Sequence, residues 1–105
     1  MDDATQYKLY KLIEANPGIN QRELARELGV SLGKANYCLQ ALIHKGAVKT
    51  RKFCNNKKKS SYLYILTPQG IEDKARITVQ YLRRKMKEYD ELREEIATLW
   101  TEIEK

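Results

Sequence analysis

The chain has 105 residues, enough for one ordinary domain or for a small domain with one appended element. Hydrophobic residues make up 42% of it, which supports a packed core and excludes general disorder. Two cysteines, Cys38 and Cys54, are too few for a disulfide scaffold or a four-ligand zinc site. No apolar run reaches the roughly 20 residues of a membrane-spanning helix. The Met-Asp-Asp start lacks the features of a secretory signal, so we expect a cytoplasmic protein.

The net charge of +6 is unevenly distributed along the chain. Residues 1–70 hold 12 Lys or Arg against 5 Asp or Glu, whereas residues 71–105 hold 8 against 9. The positive field therefore belongs to the first two thirds of the chain, where it attracts polyanions such as nucleic acids. Solubility alone is the alternative explanation for this excess.

Apolar residues recur at helical spacing from Tyr7 to Ile13, and the Asn-Pro-Gly turn at residues 16–18 ends this first predicted helix. Asn20 and Glu23 have the spacing of a capping box, which predicts the start of a second helix. Gly29 follows that helix at the position where a left-handed residue ends it. Ser31 caps a third predicted helix that runs to about Lys45. Its inward face holds Ala35, Cys38, Leu39, Leu42 and Ile43.

Residues 47–53 and 61–66 are rich in β-branched and aromatic side chains and are predicted to form two strands. The polar, basic segment 55–59 is predicted to be the loop that joins them into a hairpin. After the hairpin, Thr67 and Pro68 have the residue types of an N-cap and a first helical position. Glu72 and Asp73 complement the positive end of this last helix. No proline or glycine follows Gly70, so the helix is predicted to continue unbroken for about 55 Å.

This last helix carries a heptad pattern that predicts a coiled coil. One seam position holds Ala75, Leu82, Tyr89, Ile96 and Ile103, and the other holds Ile71, Thr78, Lys85, Leu92 and Leu99. The alternative is an amphipathic helix that folds back on its own domain. A charged residue suits a seam poorly, so Lys85 marks either the point where the helix leaves its domain or a position that sets the register. The residues assigned to dimerisation are Leu82, Tyr89, Leu92, Ile96, Leu99 and Ile103.

Residues 21–40 fit the twenty-residue pattern of a DNA-binding helix-turn-helix. Leu24 and Leu28 are expected to pack inward, Ala25 permits close approach of the two helices, and Gly29 makes the turn. Val30 is expected to pack beneath the turn, and Ala35 and Cys38 to seat the third helix on the core. The predicted fold is mainly α with a two-stranded β-wing. It comprises a winged helix-turn-helix at residues 5–67 and a long dimerisation helix at residues 68–105.

Residues near the N-terminus of a recognition helix read base edges in the major groove. With residues 31–45 as that helix, the candidate contacts are Ser31, Leu32, Gly33, Lys34, Asn36, Tyr37 and Gln40. Lysine donates to guanine, and asparagine or glutamine bonds adenine. Gln21 and Arg22, at the start of the preceding helix, are assigned to phosphates. A solvated helix face is the alternative for each polar residue.

The hairpin at residues 49–61, here called the wing, is strongly basic. Arg51, Lys52, Lys57, Lys58 and Lys59 are assigned to the minor groove or to flanking phosphates, with Lys49 beside them. A solvated lysine run is the alternative. The wing also contains Cys54, whose cationic neighbours favour a thiolate and hence a redox-sensing variant of the hypothesis.

The order of these elements resembles the winged-helix regulators of the MarR family. The resemblance is carried by residues 19–25, 42–46 and the Leu-Thr-Pro-Gln-Gly segment at 66–70. Residues 31–39 are similar to the recognition helix of the short MarR-type regulators found with bacterial exopolysaccharide gene clusters. The resemblance implies a homodimeric transcriptional regulator that binds double-stranded DNA and controls such genes.

Two features depart from typical MarR proteins. Their wing carries an acidic residue and an arginine, where this one has Lys57, Lys58 and Lys59. About six residues precede the first predicted helix, fewer than in those proteins. We therefore expect the C-terminal helix to provide most of the dimer interface, and the usual effector pocket is not assigned.

Two other classes of function compete with DNA binding. A winged-helix adaptor would bind an acidic protein partner through the wing. An enzyme is disfavoured because no carboxylate pair, phosphate loop or nucleophile motif is present and His44 is the sole histidine. We expect no cofactor, no metal and no membrane partner, and the sequence identifies no effector.

Overall fold

The computed structural model describes residues 1–55 and 58–104, and within these ranges the side chains of all residues except 53–61. The elements follow the order α1 (Asp3–Ala15), α2 (Gln21–Leu28), α3 (Leu32–His44), β1 (Val48–Asn55), β2 (Lys58–Leu66) and α4 (Pro68–Glu104). β1 and β2 form an antiparallel two-stranded sheet. The predicted fold class, mainly α with a two-stranded wing and a long last helix, is confirmed.

The predicted caps fix the ends of the central helices. The Glu23 backbone N–H donates to Asn20 Oδ1 (2.8 Å), and the Asn20 side-chain amide donates to Glu23 Oε1 (2.6 Å). Gly29 ends α2 in the left-handed region, with φ of 70°, where a side chain would be strained. The Lys34 backbone N–H donates to Ser31 Oγ (3.1 Å) at the start of α3. These bonds satisfy backbone donors that the first turn of a helix leaves unpaired.

Two elements extend further than the sequence predicted. α1 begins at Asp3, because the Asp2 side chain accepts a hydrogen bond from the Thr5 backbone N–H (2.8 Å) and caps the helix. The strands also continue into the segment predicted to be a loop, since Asn55 pairs with Lys58 beyond a bulge between Phe53 and Asn55. Polar side chains predict exposure to solvent, but they do not prevent backbone pairing in a hairpin.

The core lies where α1, α2 and α3 meet the base of the wing. Its buried residues are Leu9, Tyr10, Ile13, Ile19, Leu24, Cys38, Leu39, Leu42, Ala47, Val48 and Tyr64. Ala25 is buried between α2 and α3, as the helix-turn-helix pattern predicted, and Leu28 and Val30 are half-buried. The Tyr64 backbone N–H donates to the Pro17 carbonyl (2.9 Å), which attaches the wing to the turn between α1 and α2.

The Asp73 carboxylate of α4 is buried at the junction of three helices. Its Oδ2 accepts hydrogen bonds from the Gln6 amide (2.7 Å) and the Tyr10 hydroxyl (2.5 Å) of α1. The same oxygen lies 3.0 Å from Lys45 Nζ at the end of α3, and Arg76 pairs with Oδ1. From the sequence, Asp73 was assigned only to the positive end of α4, and its burial and its partners on other helices were not predicted. It is a buried carboxylate that joins α1, α3 and α4.

The neighbours of this carboxylate determine its ionisation. Burial raises the pKa of Asp73, but the hydrogen bonds from Tyr10, Lys45 and Arg76 outweigh burial and lower the pKa to about 2. Burial, followed by the hydrogen bond to Asp73, raises the pKa of Tyr10. The carboxyl is thus ionised and the phenol protonated at neutral pH, which is the pairing that satisfies both groups.

The first turn of α4 is attached to the turn after α3 by several bonds. Thr67 Oγ1 donates to the Gly46 carbonyl (2.6 Å) and accepts from the Gly70 backbone N–H (3.0 Å), so Thr67 is the predicted N-cap. A Cβ on Gly70 would lie 2.0 Å from the Ala47 carbonyl oxygen. This contact is far closer than atoms tolerate, so only glycine lets α4 approach the chain here.

Beyond this turn α4 first packs on α1 and then leaves the domain. Tyr81 stacks on Tyr7 with ring centroids 5.1 Å apart, and Arg84 forms an ion pair with Asp3. Every residue at positions 82–104 is exposed, a length of about 34 Å at 1.5 Å per residue. Lys85 therefore lies where the helix leaves its own domain, one of the two interpretations its sequence position left open.

Within the described ranges, no helix combines the length and apolar character needed to cross a membrane.

Replacing Gly70 with alanine should destabilise the fold by about 2 kcal/mol or more, because the new methyl group meets the Ala47 backbone. Gly33→Ala is the matched control: it also lies in a helix, and a Cβ there has no atom within 4 Å. Thermal denaturation of both variants tests the difference. Equal melting temperatures for Gly70→Ala and wild type would contradict the close approach of α4.

Asp73→Asn should lower the free energy of unfolding at pH 7 by about 2 kcal/mol. This is the stabilisation that follows when folding lowers the pKa of a carboxyl from near 4 to about 2. Because the folded pKa is lowered, the ionised carboxylate stabilises the fold above about pH 4, and this contribution is lost as the pH falls towards 2. Urea denaturation at several pH values should show the two proteins converging in acid. The exposed Asp90→Asn should show no such pH-dependent difference.

Candidate nucleic-acid interface

The two faces of α3 differ in exposure. One face buries Ala35, Cys38, Leu39 and Leu42 in the core. The opposite face presents the residues assigned to base contacts: Ser31, Leu32, Gly33, Lys34, Tyr37 and Gln40 are exposed, and Asn36 is half-buried. The structure therefore brings all seven predicted recognition residues onto one helix, supported from behind by the core.

Two of these exposed residues are large and apolar. Leu32 is 44% exposed and Tyr37 is 69% exposed. Neither side chain is needed to fill the core. In the isolated protein their apolar surface is exposed to water, which is unfavourable, and it adds nothing to packing. Contact with a thymine methyl group or a sugar is one use for such side chains.

The first turn of α3 is open on its outer side. Ser31 Oγ already accepts the Lys34 backbone N–H, which leaves the N–H groups of Leu32 and Gly33 without a cap from this side chain. A Cβ on Gly33 would meet nothing within 4 Å, so the backbone here can approach another surface closely. This geometry suits a phosphate at the helix N-terminus beside the base-reading residues.

A recess of about 380 Å³ separates α3 from the wing. It is lined by Gln21, Gln40, Ile43, Thr50, Tyr62 and Tyr64. Two residues predicted to contact DNA, Gln21 of α2 and Gln40 of α3, therefore face the same space as the wing. Arg22 is exposed beside Gln21 at the start of α2.

The wing contributes an exposed basic strand. Lys49, Arg51 and Lys52 of β1 are all exposed. Lys57 lies outside the described residues, and the side chains of Lys58, Lys59 and Cys54 lie outside the described part of the chain as well. Within the described part of the wing, the exposed cations of β1 form a basic surface.

Sequence reasoning did not assign Thr50 or Tyr62 to the interface. Tyr62 is 53% exposed and pairs across the sheet with Lys52, while Thr50 pairs with Tyr64. Strand alternation places Tyr62 on the same face as Tyr64, which is buried, so the sequence pattern gave no signal that Tyr62 would be exposed. Their position beside α3 depends on how the wing folds back, which no local pattern encodes.

Among the described residues, no group of three or more His, Cys, Asp or Glu side chains is arranged to hold a metal ion.

The arrangement of these elements agrees with comparisons to known proteins. Residues 2–49 match the family described as winged helix-turn-helix DNA-binding. The chain carries a winged helix-turn-helix domain. The match covers α1 to α3 and the start of β1, and the structure adds the two-stranded wing and α4.

Solved structures of MarR regulators share this winged-helix fold. A MarR protein from Peptoclostridium difficile is 27% identical, with a TM-score of 0.64, over 81% of this chain and 54% of its own. The PcaV regulator from Streptomyces coelicolor is 23% identical, with a TM-score of 0.59, over 74% and 54%. The zinc-responsive MarR family member ZitR from Lactococcus lactis is 20% identical, with a TM-score of 0.60, over 84% and 58%.

The chain thus spans little more than half the length of these three proteins. No protein with a curated function matches it closely enough to count as a relative. The comparisons therefore establish the winged-helix fold of the chain.

The exposure of Leu32 and Tyr37 makes a prediction about stability. Replacing either with alanine should change the free energy of unfolding by less than about 0.5 kcal/mol, because neither supports the core. Leu39→Ala, at a fully buried position of the same helix, should cost about 2–5 kcal/mol. Chemical denaturation compares the three variants. A large loss from Tyr37→Ala would mean that this face serves folding and not binding.

Proposed function

We propose that this protein is a cytoplasmic, sequence-specific DNA-binding transcriptional regulator that acts as a homodimer. In this proposal α3 enters the major groove, and the wing contacts the minor groove or the flanking phosphates. The observation that carries it is the exposed face of α3, where Lys34, Asn36 and Tyr37 project from a helix whose other face is core. A helix that is rigidly supported from behind can hold base-reading side chains in register.

The contacts divide into two kinds. Lys34, Asn36 and Gln40 have donors and acceptors that match guanine or adenine edges, so they are assigned to sequence readout. Arg22, Arg51 and Lys52 are cations beside that helix and on the wing, so they are assigned to phosphates. Tyr62 joins the second group because it is exposed on the same strand pair as Lys52.

The second part of the proposal is that α4 joins two copies. Leu82, Tyr89, Leu92, Ile96, Leu99 and Ile103 are each at least 45% exposed in the single chain. An apolar stripe of this length in water favours association with a matching surface. Two winged helices held together would read two half-sites about one helical turn, or a multiple of it, apart.

The regulated genes are proposed only from resemblance. The similarity of residues 31–39 to the recognition helix of exopolysaccharide-associated regulators supports control of exopolysaccharide genes. No site in the described residues supports an enzymatic function. The match of residues 2–49 to a winged helix-turn-helix DNA-binding family supports DNA binding instead.

A protein-binding adaptor is the second candidate. The exposed apolar side chains of Leu32 and Tyr37 favour it, since such residues also serve as anchors in protein interfaces. The two candidates differ in their response to salt and to nucleotide sequence.

Selection of bound duplexes from a random library should yield a preferred, two-fold symmetric sequence. Asn36→Ala should weaken binding to that sequence by about 10-fold or more, the effect of losing one bidentate base contact, and should relax the preference at one position of each half-site. Arg51→Ala should weaken preferred and random duplexes alike and reduce the slope of affinity against salt. A protein with neither a sequence preference nor a steep salt slope would be the adaptor.

Replacing Leu92 and Ile96 together with asparagine should convert the protein into monomers, because both lie in the apolar seam. The winged helix should still fold, since positions 82–104 are exposed in the single chain. Affinity for the two-fold sequence should fall at least about 100-fold as the two domains lose their connection. Thr98→Asn, on the same helix outside the seam, should remain dimeric. Sedimentation equilibrium distinguishes these states, and a dimeric double variant would exclude this seam.

A further inference from the structure

The exposed part of α4 has a seam and two flanks of different character. The seam from Tyr89 onward holds Leu92, Ile96, Leu99 and Ile103. On a helix with this heptad, one flank carries three acids, Glu88, Glu95 and Glu102. The other flank carries Met86, Arg93 and Trp100. All of these flanking residues are exposed.

The uncharged seam begins just after Lys85. The Lys85 ammonium lies 3.1 Å from the Glu88 carboxylate and 5.4 Å from the centre of the Tyr81 ring. Its charge is thus balanced by neighbours on its own helix, and the hydrogen bond to Glu88 raises the pKa of Lys85. Apolar layers then follow from Tyr89 to Ile103, where no further charge interrupts the seam.

The flanking charges distinguish the two ways of pairing a second copy. In a parallel pair, each residue of one flank faces the residue five positions later on the opposite flank of its partner. Glu88 would then face Arg93 of the partner subunit, twice by symmetry, and Glu95 would lie beside the partner's Trp100. In an antiparallel pair, like flanks face each other, so glutamates would oppose glutamates and Arg93 would lie near the partner's Arg93 or an uncharged residue.

We propose that α4 pairs with α4 of a second copy as a parallel, in-register, two-stranded coil from about Tyr89 to Ile103. The inference rests on the proposed homodimer and specifies its geometry. Two opposite-charge contacts form in this orientation, while the alternative places carboxylates together along one flank. Like charges at such positions disfavour a pairing, and they select orientation more than they set affinity.

This orientation determines where the DNA-binding domains lie. The two-fold axis of a parallel coil runs along the helices, so both winged helices emerge at the same end. An antiparallel coil would place them at opposite ends, separated by the length of the paired segment. Only the parallel pair presents two α3 helices side by side to neighbouring half-sites of one duplex.

Disulfide trapping of the full-length protein tests the orientation. In a Cys54→Ser background, Leu99→Cys should form an intersubunit disulfide rapidly under mild oxidation, because equivalent seam residues face each other in a parallel pair. Glu94→Cys, on the outer side of the same helix, is the matched control and should cross-link at least about 10-fold more slowly. Sedimentation of the reduced proteins reports the oligomeric state independently.

Each outcome has a distinct meaning. A reduced dimer that traps through Leu99→Cys alone supports the proposal. A reduced dimer that traps only when Leu99→Cys is combined with Tyr89→Cys has antiparallel helices, which overturns the orientation and leaves the homodimer standing. A tetramer overturns the two-stranded coil. A monomer overturns both this inference and the dimer on which it rests, whereas sequence-specific binding of DNA remains a separate measurement.

Charge reversal gives a second test, because Glu88→Arg should change the affinity of the dimer in opposite directions for the two orientations. Glu88→Arg and Arg93→Glu should each weaken a parallel dimer by about 5-fold, and the double variant should recover most of that loss. In an antiparallel dimer Glu88→Arg would replace a repulsion between glutamates with an attraction and tighten association. Arg93→Glu would exchange one pair of like charges for another, or leave an uncharged contact, and would not tighten it. Dissociation constants from sedimentation distinguish weakening with rescue from tightening.

Discussion

The buried carboxylate of Asp73 is the contact on which the arrangement of the helices depends. It accepts hydrogen bonds from two residues of α1 and forms an ion pair with Lys45 at the end of α3. An isolated buried charge would cost several kcal/mol, and these hydrogen bonds and ion pairs offset that cost. The position of α4 relative to α3 is therefore coupled to the packing of α1.

This junction gives the molecule two exposed surfaces on a rigid support. One is the outer face of α3 beside the wing, and the other is the seam of α4, which extends beyond the domain in a molecule 71 Å long. Gly70 and Thr67 hold α4 against the turn that follows α3. The start of α4 is thus joined directly to the end of α3, without a flexible linker between them.

Local chemistry made much of the fold predictable. Asn20 and Ser31 accept hydrogen bonds from residues three positions later, Gly29 adopts the left-handed conformation, and Thr67 caps α4, all within a few residues of chain. The seven candidate recognition residues share a face because helical periodicity alone puts them there. The extent of the strands was predicted less well, since backbone pairing continues where side-chain polarity had indicated a loop.

The sequence by itself determined the order of the helices, their caps, the exposed face of α3 and the apolar seam of α4, because each is a pattern within one element. Only the tertiary structure decided that Asp73 is buried rather than solvated, since three of its four partners lie 28, 63 and 67 residues away along the chain. The same holds for the recess that joins Gln21 and Gln40 to Tyr62. Such contacts depend on how distant elements pack, and packing is set by the whole core at once rather than by any local run of residues.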